Sequence, residues 1–202
     1  MKTILQVNSS LFSGGGQSSR LANEFVDARR AAGATVLLRD LGTDPIPHLT
    51  AERFQAFLSK PESRSALEAA VLAQSDALIA ELRRADEIVI GLPMYNFGIP
   101  STLKAYFDHI ARAGQTFKYT DKGSVGLLTG KNAYVFAARG GLYAGTPADT
   151  QTQYVRDFLA FLGITDVEFV YAEGLAINAA SRERSLTEAR RIIESLNAAE
   201  TA

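Results

Sequence analysis

Three short stretches carry residue types suited to holding a phosphate and a flat ring. The first is Asn8-Ser9-Ser10-Leu11-Phe12-Ser13-Gly14-Gly15-Gly16-Gln17-Ser18-Ser19. Its small and hydroxylated residues can present backbone N–H groups and hydroxyls to a phosphate, and a helix starting there adds its dipole. Lacking a Gly-Lys-Ser/Thr ending, it is not a Walker loop, and lacking GxGxxG it is not a dinucleotide turn, so a monophosphate suits it better. A blander role stays open, with Ser18 or Ser19 capping a helix and the glycines making a turn.

The second stretch is Gly91-Leu92-Pro93-Met94-Tyr95-Asn96-Phe97-Gly98-Ile99-Pro100. Polarizable and aromatic groups surround one amide, which is what a heteroaromatic ring needs for a floor and for a partner that both donates and accepts. The same apolar residues could equally be core at a sheet edge. The third stretch, Ala138-Arg139-Gly140-Gly141, places two glycines where successive N–H groups can form an anion-accepting nest, or simply a turn.

These stretches need elements that bring them together. Val- and Ile-rich runs at Thr3 to Val7, Thr35 to Leu38, Glu87 to Leu92, Ala133 to Ala137 and Val167 to Tyr171 alternate with segments of helical period. That alternation is the mark of βαβ units and a parallel sheet. Helical faces are carried by Leu21, Phe25, Ala28 and Ala32; by Leu67, Val71, Leu78 and Leu82; by Ile99, Leu103, Phe107 and Ile110; by Val155, Phe158 and Leu162; and by Leu186, Ala189, Ile193 and Leu196. Gly33 and Gly114 are expected to end two of these helices, and Gly163 to precede the last strand. The Pro-containing connection from 41 to 60 holds a short helix around Phe54 to Leu58, and 115 to 132 is expected as a long loop. Since ligands of an open α/β sheet sit beyond the carboxyl ends of its strands, the three stretches should converge.

Composition narrows the chemistry. The 202 residues fit one domain, and 47% hydrophobic with 21% charged residues is an ordinary globular balance. Without cysteine there is no disulfide, thiolate metal site or cysteine nucleophile. A formal charge of −1 provides no broad field for nucleic acid or anionic lipid, and no stretch approaches the ~20 apolar residues of a membrane span. The expectation is a cytoplasmic protein with no nucleic-acid, membrane or metal partner. His48 and His109 fit no catalytic motif, and charged residues on helix faces read as solvated surface.

At the stretches above, the chain resembles the FMN-dependent NADH azoreductases, also described as NAD(P)H quinone oxidoreductases, of the flavodoxin-like superfamily. The likeness spans nearly the whole chain. Its most specific pieces are Pro93-Met94-Tyr95-Asn96-Phe97, the run from Ala111 to Thr120, Gly130-Lys131, Arg139-Gly140-Gly141, Gly163-Ile164-Thr165-Asp166 and Ala172-Glu173-Gly174.

The resemblance implies an α/β flavodoxin-like three-layer sandwich, with a five-stranded parallel sheet of order 2-1-3-4-5 and helices on both faces, as a single FMN-binding domain over 1–202. It implies that Ser10, Gly16, Gln17 and Ser18 hold the FMN phosphate. Met94, Tyr95, Asn96 and Phe97, with Ala138, Arg139, Gly140 and Gly141, would surround the ring. Asn96 and Phe97 are the catalytic candidates through backbone N–H groups near flavin N5, while Gly140 and Gly141 would stabilise charge toward N1 and O2. Phe117 and Tyr119 would wall an acceptor pocket, although from sequence that segment could equally be a core-packed crossover. NADH or NADPH would donate a hydride, and quinones or aromatic azo compounds would then accept two electrons in ping-pong order. A homodimer with flavin near its interface is also implied. Two departures stand out: Ala138 and Gly16 occupy places where relatives carry serine, often at the first and in some members at the second. A flavodoxin-type single-electron carrier is the alternative, although this nearly neutral chain lacks the acidity such carriers use for docking. A flavin-free module on the same scaffold is a third reading.

Overall fold

The structure, a computed structural model, describes residues 1–200. Among the described residues there are seven strands: β1 (Thr3–Asn8), β2 (Thr35–Asp40), β3 (Glu87–Pro93), β4 (Phe117–Thr120), β5 (Gly123–Gly126), β6 (Asn132–Ala138) and β7 (Asp166–Ala172). Six α-helices join them: α1 (Gln17–Ala31), α2 (Ala51–Leu58), α3 (Ala66–Arg84), α4 (Ser101–Ile110), α5 (Thr152–Leu162) and α6 (Ala179–Glu200).

Five strands pair in parallel in the order β2-β1-β3-β6-β7. The chain therefore leaves β1 toward one edge and resumes at β3 on the other side of it, which makes the β1/β3 boundary the switch point where a crevice opens. Register brings the strand ends level. Asn8 pairs with Gly91, Pro93 with Ala138, and Ala138 with Ala172. The three stretches singled out in the sequence thus leave the sheet side by side.

Both faces of the sheet are covered, which explains why β3 is buried at every position. Leu21, Phe25 and Val26 of α1 and Ala189 and Ile193 of α6 pack on one face with Ile4, Val89 and Phe136. Leu78 and Leu82 of α3, Leu103 and Phe107 of α4, and Val155 and Leu159 of α5 pack on the other with Leu5, Ile90 and Val135. Phe107 stacks on Phe158 at 4.0 Å. A capping box closes the start of α3, where Ser65 Oγ accepts from Glu68 N and the Glu68 carboxylate accepts from Ser65 N.

Several expectations need correction. The segment from 115 to 132 is not one loop: β4 and β5 form an antiparallel hairpin, so the sheet order in chain numbering is 2-1-3-6-7 rather than 2-1-3-4-5. The hairpin docks backbone to backbone on the end of α5, where a Cβ on Gly126 would fall 2.1 Å from Gly163 N. Strands of four mixed residues held by such a contact leave little alternation to read. Gly114 does not end α4, which stops at Ile110; it lies beyond, at φ 77°. Leu67, in the first turn of α3, is exposed rather than packed. Arg29 of α1 is buried, its guanidinium 4.9 Å from the Phe25 ring, so this charge is not part of a solvated face.

Candidate active site

The first turn of α1 lacks a side-chain cap because its N-cap is Gly16. Consequently the N–H groups of Gln17, Ser18 and Ser19 donate to no protein acceptor among the described residues. The hydroxyls of Ser18 and Ser19 are buried and likewise unpartnered. Gly16 N, by contrast, is spent on Ser13 O at 3.2 Å. Gly16 contributes space instead, since a Cβ there would lie 2.1 Å from Ser10 Oγ and 2.6 Å from Ser10 Cβ.

The end of β2 fixes the loop from outside. Ser13 adopts φ 50°, and its hydroxyl donates to the Asp40 carboxylate, whose other oxygen accepts from Gly42 N at 2.9 Å. Ser13 N donates to Ser10 O at 3.0 Å. The resulting cavity, about 270 Å³, is lined by Ser10, Phe12, Gly16 and Gln17 on one side and by Met94, Tyr95, Ala138 and Gly140 on the other. The Tyr95 hydroxyl reaches across to it, 3.3 Å from Leu11 N and 3.4 Å from Ser10 Oγ. Arg139 is the one charged residue of the lining, and its guanidinium is turned away from the cavity, so the donors here are neutral.

A second cavity of about 210 Å³ shares Met94 and Gly140 with the first and adds Asn96, Phe97 and Tyr143. Its floor is a tight turn. Tyr95 N donates to Gly98 O at 3.1 Å and Gly98 N to Tyr95 O at 2.9 Å, while Asn96 and Phe97 between them take φ 50° and 64°. Two consecutive left-handed residues define a type I′ turn, costly for a phenylalanine, and such strain is retained chiefly at functional sites. The N–H groups of Asn96 and Phe97 are free of protein acceptors among the described residues. On the opposite loop, Gly140 O accepts from Ala176 N at 3.0 Å and Gly141 O from Gly174 N at 2.8 Å, while both N–H groups meet no protein acceptor among the described residues. Tyr143 leans over Gly141, where a Cβ would fall 2.7 Å from its ring, and meets Phe97 edge on at 5.8 Å.

The Arg139 side chain is committed to partners inside the protein. It is 1% exposed and donates to Asp149 at 2.8 Å, Glu173 at 3.1 Å, Thr152 at 3.2 Å and Gln151 Oε1 at 3.2 Å. Burial alone would raise the Asp149 carboxyl, but donors from Arg139 and Thr152 hold it below the usual carboxylate range. Glu173 in turn accepts from Tyr143 N and Ala144 N at 2.9 Å each. A buried ion pair therefore braces the loop that carries Tyr143.

Phe117 lies in the core, 4.3 Å from the Phe161 ring, and lines neither cavity of the single chain. Tyr119 is exposed and also lines neither. Ser18 contributes to the first turn of α1 but not to the cavity wall. Ala138 does line it, its carbonyl accepting from Met94 N at 3.1 Å. Residues missed in the sequence are Tyr143, Phe12 and the Asp149-Thr150-Gln151-Thr152 run. Only the position of Tyr143 two residues past a glycine pair could have signalled it. His109 is fully buried and donates from Nε2 to Pro47 O at 3.0 Å, tying α4 to the connection after β2. Among the described residues no cluster of three or more His, Asp or Glu could hold a metal, and no helix is long and apolar enough to cross a membrane.

Residues 2–196 match a family model described as having a flavodoxin-like fold. The chain is 53% identical over 196 residues to an FMN-dependent NADH:quinone oxidoreductase of Cellvibrio japonicus (strain Ueda107), covering 96% of this chain and 98% of that protein. Among solved structures it is similar to an azoreductase from Bacillus anthracis str. Sterne, with a TM-score of 0.89 and 28% identity over 98% of this chain and 99% of that one. It is also similar to an FMN-dependent NADH-azoreductase from Bacillus anthracis str. Ames Ancestor in complex with FMN, with a TM-score of 0.84 and 27% identity over 96% and 99% of the two chains.

Proposed function

We infer the chemistry of this site from the premise that the chain belongs to the flavodoxin-like family and, within it, to the FMN-dependent NADH:quinone oxidoreductases. FMN is its cofactor, NADH its electron donor, and quinones and aromatic azo compounds its acceptors. The observation that carries this onto the chain's own residues is the row of unspent donors at the first turn of α1, closed by Tyr95.

FMN held here would supply the two-electron relay between nicotinamide and acceptor. On our reading, Gln17 and Ser18 hold the phosphate through their N–H groups and Ser10 through its hydroxyl, with the α1 dipole adding attraction. Met94 supplies a polarizable floor, and Tyr95 closes the phosphate end. The free N–H groups of Asn96 and Phe97 meet one edge of the ring. Those of Gly140 and Gly141 meet the edge where negative charge grows on reduction, and being fixed in advance they need no reorganisation. Ala138 and Arg139 serve through the backbone. Tyr143 and Phe97 bound the space left for nicotinamide and acceptor in turn, which gives ping-pong order because both need the same place.

We take residues 1–202 as one FMN-binding unit, of which 201 and 202 lie outside the described residues, and we place it in the cytoplasm, where NADH is supplied. It acts as a homodimer, a reading supported by Leu11, Phe12, Phe97, Leu142 and Ile177, large apolar side chains exposed on the loops around the two cavities. Titrating apoprotein with FMN and with riboflavin tests the central assignment. FMN should bind at least roughly tenfold tighter, as charge-assisted hydrogen bonds to phosphate require. Equal affinities would remove the phosphate from the α1 turn.

A further inference from the structure

Gln151 precedes α5 and its side chain is fully buried, yet it does not cap the helix. Its Nε2 donates to Pro93 O at 2.9 Å and to Gly98 O at 3.0 Å, and its Oε1 accepts from Arg139 Nε at 3.2 Å. The orientation of the amide follows from chemistry. Arg139 offers only donors and the two carbonyls only lone pairs, so the oxygen must face the guanidinium and the nitrogen must face the carbonyls. All three groups belong to the two loops assigned to the ring: Pro93 and Gly98 flank the strained turn, and Arg139 starts the glycine pair.

We propose that Gln151 is a positioning residue for the flavin ring, joining the turn of Asn96 and Phe97 to the loop of Gly140 and Gly141 so that their N–H groups face the ring at a fixed separation. The inference rests on the functional reading above for the identity of the ring, while the bridge itself belongs to the protein alone. Three features support it. Gly98 O accepts from both Tyr95 N and Gln151 Nε2, so the amide closes the same hydrogen-bonded turn that holds φ positive at Asn96 and Phe97. The neighbouring Thr150 hydroxyl donates to Phe97 O, a second grip on that turn from the same segment. Arg139 is held by Asp149, Glu173 and Thr152 and lies 5.1 Å from the Tyr171 ring, so the far end of the bridge is anchored at the ends of β6 and β7 and the start of α5. A turn that costs energy to form must be over-determined by its surroundings. Here the surroundings are one glutamine and one threonine.

Gln151→Glu keeps the shape and the bond to Arg139 but turns an acceptor toward two carbonyls. In apoprotein, hydrogen exchange at the Tyr95 and Gly98 amides should speed up, since the turn they close is loosened. Affinity for riboflavin and for FMN should fall together, by roughly tenfold or more. Their ratio should stay as in wild type, because the phosphate seat lies on other elements. Unchanged exchange and unchanged riboflavin affinity would overturn the proposal, and so would a collapse of the ratio, which would mean that the substitution disturbs the whole fold. Should the variant fail to fold, the side-chain amide protons of Gln151 in wild-type apoprotein decide. They should resist exchange and shift when FMN is added; exchange as fast as that of surface glutamines overturns the bridge. If wild type itself binds no flavin, the functional reading fails, while the exchange data still judge the bridge.

Discussion

The Tyr95 hydroxyl lies 3.4 Å from Ser10 Oγ, so the loop after β3 and the loop after β1 touch across the crevice between them. Residues 85 apart in the chain meet there because β1 and β3 are adjacent and in register. Tyr95→Phe should weaken FMN binding roughly three- to tenfold, the value of one modest hydrogen bond. Stability of the apoprotein should barely change, as the side chain is half-buried and the ring remains. Fluorescence titration with FMN and urea unfolding check the two halves.

Gly16 holds open the space that Ser10 fills. Rotating Ser10 moves its hydroxyl away from a new Cβ at position 16 but not its own Cβ, which the new atom would meet at 2.6 Å. Gly16→Ala should therefore shift backbone, destabilise the apoprotein by about 1–3 kcal/mol, and weaken FMN more than riboflavin. The unfolding midpoint and the two flavin affinities report this.

The strain at Phe97 gives a prediction of opposite sign. Phe97→Gly removes the left-handed penalty of about 1–2 kcal/mol, partly offset by the larger entropy that glycine loses on folding. Phe97 is 56% exposed, so little burial is lost. The apoprotein should be as stable as wild type or more so, while NADH oxidation falls because the wall opposite Tyr143 is gone. A stability gain with reduced kcat/KM is the expected pair of results.

His109 should make stability depend on pH. Burial pushes its pKa below the ordinary value, outweighing the bond to Pro47 O; Arg53 lowers it further and Asp108 raises it. Below about pH 6.5 the unfolded chain takes up a proton that the folded chain refuses. The stability tied to the neutral ring is therefore complete above that pH and is lost as pH falls toward the depressed folded value. Urea unfolding at pH 7.5 and 5.5 should show a larger loss for wild type than for His109→Gln, whose amide can still donate to Pro47 O.

Much of this site could be read from the chain, and the parts that could not have physical reasons. Strands β1, β3 and β6 announce themselves as apolar runs because both faces are covered, and the loops after them carry unusual small or aromatic residues. Gln151 is invisible for the opposite reason: nothing near it in sequence is its partner, and a buried amide bridging residues 58 and 12 positions away looks like any polar residue before a helix. Arg139 was misleading. Its loop lines the cavity, but the side chain folds inward because Asp149 and Glu173 await it there, a pairing that only tertiary structure creates. Phe117 could be a pocket wall or core from its sequence, and the hairpin turns it onto Phe161.

The most direct test of the central claim is anaerobic titration of the FMN-reconstituted protein with NADH, followed by a benzoquinone, with flavin absorbance recorded throughout. The site described here predicts complete bleaching at one NADH per FMN and complete recovery of colour at one quinone. A protein that binds FMN but whose flavin stays oxidised in excess NADH would contradict it and point to a single-electron carrier.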